Sequence, residues 1–96
     1  MDPSALAKMY VDAVKNNNIS ASVLTKLPEL VTCDWTSVEL VGSVFYISER
    51  TKITYDGVLA KYRGGLYYIK RKVFDVLQQH DRRFRKKLPV ITVVSS

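Results

Sequence analysis

The chain has 96 residues, 47% apolar and 25% charged, with a formal net charge of +6. That length suits one domain with one modest core, and the absence of any apolar run near the ~20 residues of a membrane span, or of a basic-then-apolar leader at Met1-Asp2-Pro3-Ser4, predicts a soluble protein. Cys33 is the single cysteine, which excludes an internal disulfide and a thiolate metal cage and fits a reducing compartment.

Asp2-Pro3 reads as a helix opening, a capping side chain followed by a proline at the first helical position. Leu6, Met9, Tyr10 and Ala13 recur at helical spacing, with Lys8, Asp12 and Lys15 opposite, and Asn16-Asn17-Asn18 ends the helix. A shorter helix follows from Ser20 to Leu27, with Val23, Leu24 and Leu27 inward, until Pro28 stops it.

The middle of the chain predicts a strand meander. A strand near Val38–Val41 precedes another over Val44–Ser48, and Ser48-Glu49-Arg50-Thr51 is a polar turn. Asp56-Gly57 and Gly64-Gly65 both carry two-residue turn chemistry, so strands near 52–55, 58–63 and 66–69 are expected to pair antiparallel in sequence order. Further on, Val73, Leu77, His80, Phe84 and Leu88 fall at steps of four and three, a single helical stripe that Val76 joins. Pro89 ends that helix and 90–94 forms a last strand. The fold class is α+β, a two-layer sandwich in which an antiparallel meander carries the N-terminal and C-terminal helices on one face. Leu6, Tyr10, Val73, Leu77 and Phe84 form the expected core.

Little here converges for catalysis. His80 is the only histidine and reads as a core or boundary residue of the apolar stripe. The nine carboxylates are scattered, and no nucleophile elbow or phosphate-binding glycine loop is present, so neither an enzyme nor a cofactor or metal site is expected. Charge is more informative. Between Lys70 and Lys87 stand eight bases against two acids, a local excess of +6 that equals the total for the chain. Arg71, Lys72, Arg82, Arg83, Arg85 and Lys86 project from the helix side opposite the apolar stripe. Arginine forks suit phosphate and carboxylate, and nucleic-acid phosphate is the expected ligand of this face. The bland alternative is a solvated helix back. The tyrosines, Trp35 and the phenylalanines could stack on bases, although most fit a pleated, half-buried sheet, with one of Tyr67 and Tyr68 facing outward.

Taken together, Asp34-Trp35, Val44-x-Tyr46-Ile47, the polar turn, Lys52-Ile53-x-Tyr55, the meander, a helix around Leu77 and Ile91-x-Val93 form a pattern over about Asp34 to Val94. It resembles the C-terminal subdomain of the SARS-unique region of betacoronavirus non-structural protein three. The resemblance implies a frataxin-like, or double-wing, fold without catalytic residues. It further implies a monomer inside a viral replicase polyprotein, in the host cytoplasm on the cytosolic side of virus-modified membranes. RNA or other replicase and host proteins would be its partners. Frataxins bind iron through acidic residues of the first helix; Asp12 alone stands there beyond the cap, so iron is not carried over. Two functions follow as expectations: RNA binding through the basic helix face, or docking of that face onto an acidic protein surface.

Overall fold

The computed structural model describes residues 15–95. The helix expected from Asp2, with Leu6, Met9, Tyr10 and Ala13, lies outside them. In chain order the elements are β1 (Asn18–Ser20), α1 (Ala21–Leu24), a 3-10 turn at Trp35–Ser37, β2 (Glu39–Ile47), β3 (Thr54–Tyr62), β4 (Gly65–Lys70), α2 (Arg71–His80), a second 3-10 turn at Arg82–Phe84, and β5 (Thr92–Val94). The chain is thus α+β, built on an antiparallel sheet in the order β2-β3-β4.

The two strands expected at 38–41 and 44–48 are one, β2, with a bulge where the register slips between Leu40 and Gly42. A second merger corrects the Asp56-Gly57 hairpin. Gly57 lies inside β3, opposite Val44 on one side and Lys70 on the other. Its missing side chain serves packing rather than turning, since a Cβ there would sit 2.0 Å from the Ile69 carbonyl oxygen and 3.0 Å from the Tyr68 ring. The connection between β2 and β3 is instead the polar stretch after Ile47. Ser48 N–H donates to the Ile53 carbonyl and Lys52 N–H to the Ser48 carbonyl, both at 2.9 Å, while Ser48 Oγ accepts from Thr51 N–H at 3.2 Å. The other expected hairpin forms one residue early. Arg63 and Gly64, with φ of 49° and 79°, make a two-residue tip, and Gly65 already pairs with Tyr62.

Val58, Leu59 and Ala60 are all closed to solvent, so β3 is covered on both faces, not one. On one side Leu59, Val44 and Tyr68 pack with Ile19 of β1, Val23 and Leu24 of α1, and Ile91. On the other, Val58, Ala60 and Ile69 pack with Leu30, Phe74 of α2 and Phe84. The two-layer expectation is therefore corrected to a sheet between two covers. The last strand also departs from the single-sheet expectation. Segment 89–91 touches β2 through Ser43, whose N–H donates to the Pro89 carbonyl (2.8 Å) and whose carbonyl accepts from Ile91 N–H (2.7 Å). The chain then leaves the sheet, and β5 pairs in parallel with β1, Asn18 opposite Thr92.

The stripe expected through Leu88 breaks at His80, where α2 ends. Asp81 is the reason: its carboxylate accepts from Arg83 N–H at 2.9 Å and opens the second 3-10 turn, a local bond that competes with helix continuation. Phe84 still reaches the core from that turn, edge-on to Phe74 at 6.2 Å. Val73 and Leu77 are half-buried, whereas Val76 is 52% exposed and His80 stands at the surface. Phe74, 2% exposed, is the principal core residue of α2, one position from the expected Val73.

Adding one methyl at Gly57 is expected to lower the unfolding free energy by about 1–3 kcal/mol, through overpacking against β4. Urea unfolding of Gly57→Ala checks this, and an unshifted midpoint would remove the packing role.

Candidate functional site

The six basic residues expected on one helix face fall into two kinds. Three arginines bond to the fold itself, although Arg83 and Arg85 remain exposed. Arg71, the first residue of α2, donates from Nε to Asp56 Oδ1 (3.2 Å) and from Nη2 to Ser43 Oγ (3.0 Å) and the Gly57 carbonyl (3.3 Å). It braces the helix against β2 and β3. Arg83 ion-pairs with Asp81 at 2.6 Å and donates to the Thr36 and Trp35 carbonyls at 3.1 and 3.2 Å, stapling one 3-10 turn to the other. Arg85 donates from Nε to the Gln78 carbonyl (2.5 Å) and from Nη2 to the Gln79 carbonyl (3.2 Å), filling acceptors that the end of α2 leaves open. Its positive charge also suits the helix C-terminus.

Lys72, Arg82 and Lys86, together with Lys87, are exposed and have no acidic partner within ion-pair distance among the described residues. They do not share one helix face, because α2 ends before Arg82. Lys70 and Lys72 stand at the start of α2; Arg82, Lys86 and Lys87 lie beyond its end. Ten helical residues separate the groups by about 15 Å. Lys70 is tied to Glu29 at 3.3 Å across an exposed pair, a bond worth little in water.

Hydrogen bonds and burial shift several groups near these contacts. Thr36 hydroxyl and amide donors hold the Asp34 carboxyl below the ordinary range, and Arg83 does the same to Asp81 by hydrogen bonding first and charge second. Burial pushes the Cys33 thiol up, with the Asp34 charge adding to it, so Cys33 carries no thiolate activation. Burial likewise raises the Tyr68 phenol. Among the described residues no three His, Cys, Asp or Glu side chains gather as a metal cluster, and no helix is long and apolar enough to cross a membrane.

Tyr67 and Tyr68 offer no fully exposed ring. Tyr68 is buried on the α1 side of the sheet and Tyr67 is half-buried on the α2 side, so the outward member expected of this pair is absent. Tyr55 is half-buried, its ring stacked near Tyr46 (6.4 Å, 25°) and edge-on to Tyr68 (5.7 Å, 74°). These rings reach a cleft of about 750 Å³ whose walls include Ile53, Lys70, Arg71 and Lys72. A smaller apolar groove of about 410 Å³ lies on the other side of Lys72, between Val31, Trp35, Val73 and Val76. A sequence reading misses the cleft because Glu29, the turn before β3 and the start of α2 meet only in the fold. No protein-family model, curated protein or solved structure matches the chain.

Two expectations follow from the pairing. Arg83→Glu should lower the melting temperature, because it breaks the staple and places two like charges together, while Arg82→Glu should leave it unchanged; equal effects in thermal unfolding would deny the distinction. Asp34 and Asp81 have folded pKa values below their unfolded ones, so their stabilisation is present above the unfolded value and fades as pH falls through the folded one. Melting temperature should accordingly drop below about pH 4, and Asp81→Asn should flatten that decline in a pH series.

Proposed function

We propose that this chain is a non-catalytic domain that binds RNA through its phosphates. One observation carries the reading: the whole formal charge excess lies between Lys70 and Lys87, and within it Lys72, Arg82, Lys86 and Lys87 are exposed without an acidic partner among the described residues. Uncompensated cations raise the local potential and attract polyanions. The ~15 Å between the two groups exceeds a single phosphate step, so one strand that engages both groups spans several phosphates. Phosphates carry no base identity, so sequence preference at these contacts is slight. The reading rests on surface charge and needs neither the frataxin-like arrangement nor a replicase context.

Docking on an acidic protein is the second reading, favoured by the apolar groove beside Lys72, where Val31 and Val76 are 57% and 52% exposed. Salt separates the two. Three or four phosphate contacts on a single strand give a log–log slope of affinity on salt of about −2 to −3. Arg82→Glu with Lys86→Glu removes two contacts and should reduce that slope by about 1.4, with the melting temperature retained. RNA binding that ignores this double change would move the interface away from the end of α2. No salt-dependent binding to RNA, with binding to an acidic protein surface instead, would favour the docking reading.

A further inference from the structure

The cleft beside Tyr55 has the makings of a subsite. Its volume, about 750 Å³, is within the range of small-molecule pockets. Its acids are already answered: Glu29 by Lys70 at 3.3 Å and Asp56 by Arg71 at 3.2 Å. Lys72 is the cation left over, so the cleft holds one net positive charge. Tyr55 and Ile53 line the same cleft, Ile53 being 50% exposed and lacking an apolar cover. Tyr55 is held by Tyr46 and Tyr68, so little ring freedom remains to be lost on binding. A surplus cation that can hold a phosphate and an aromatic and apolar wall that can face a base, in one cleft, suit a nucleotide unit.

We propose that this cleft seats one unpaired nucleotide of a bound RNA strand, its base against Tyr55 and Ile53 and its phosphate at Lys72. The inference rests on the RNA reading above and adds to it a base-contacting position. It also sets a preference: a base in the cleft cannot be paired, so single strands bind better than duplexes, as in other stacking sites.

The test measures binding of the chain to short oligo(A), to an abasic strand of equal length and to the duplex, by fluorescence anisotropy at one salt concentration. Oligo(A) should bind roughly 5- to 150-fold more tightly than the abasic strand. Tyr55→Leu should erase that difference and leave abasic affinity unchanged, while Lys72→Gln should weaken both strands. Tyr55 packs on two other rings, so a second readout uses the unaltered protein: amide shifts of Tyr55 and Gly57 should move with oligo(A) and not with the abasic strand, while that of Lys72 should move with both. Equal, salt-dependent binding of both strands would overturn the cleft and leave phosphate binding standing. Failure of every strand to bind would overturn both.

Discussion

The buried stretch of β3 governs the rest of the molecule. From Gly57 to Ala60 each position is closed to solvent, and these positions alternate between the two faces of the sheet. A three-stranded sheet with one solvated face could have left half of them wet. Here both faces need covers, and a short chain has little material for two. On one side the cover is a one-turn helix and a pair of three-residue strands; on the other it is a ten-residue helix followed by a 3-10 turn. Neither cover is a stable unit alone, since isolated helices of this length are marginal and two-stranded pairs are no better. Each exists because the sheet lends it an apolar surface.

Thin covers have weak margins, and arginine secures them. Arg71 anchors the start of α2, Arg85 its end, and Arg83 joins the two 3-10 turns. A guanidinium offers several donors in a fixed plane, which lets one side chain satisfy two or three carbonyl or carboxylate oxygens at once. Between Lys70 and Lys87, with the carbonyl-bonded Arg85 set aside, three of the four exposed cations without an acidic partner among the described residues are lysines, the flexible point charges. This division bears on recognition. Arginine forks give planar, bidentate contacts, and from Arg71 to Arg85 the structure uses three of the four internally. What remains for a partner is a loose set of positive points, suited to phosphates at variable spacing.

Local chemistry made one hairpin legible and misplaced another. Arg63-Gly64-Gly65 and Asp56-Gly57 carry similar turn signals, and only the surrounding residues separate them. After Gly57 comes Val58-Leu59-Ala60, an unbroken apolar run of the kind found in strands buried on both faces. A turn at Gly57 would have split that run from the strand that pairs with β2. Periodicity was misleading at the other end. Phe84 falls on the stripe of Val73 and Leu77, yet it reaches the core from a separate turn because Asp81 captures the Arg83 amide. The basic residues were visible as a group, but which guanidiniums bond within the fold depends on the Trp35 and Thr36 carbonyls and the Ser43 hydroxyl, partners brought near by folding alone.

The parallel pairing of β1 with β5 bears on the order in which the fold can assemble. Asn18 and Thr92 are 74 positions apart, so this contact closes a loop around the entire meander. Hairpins with short connections such as β3–β4 form within about 1–10 microseconds, ahead of contacts between distant segments. Closing the long loop costs entropy that increases only slowly with its length, yet no local contact offsets that cost in advance. During synthesis β5 emerges after every other described element, and until then Ile19, Val23 and Leu24 have no Ile91 to pack against. The α2 side can be in place while the opposite face of the sheet still waits. Contacts between β1 and β5 are therefore the last among the described elements to form as the chain is synthesised.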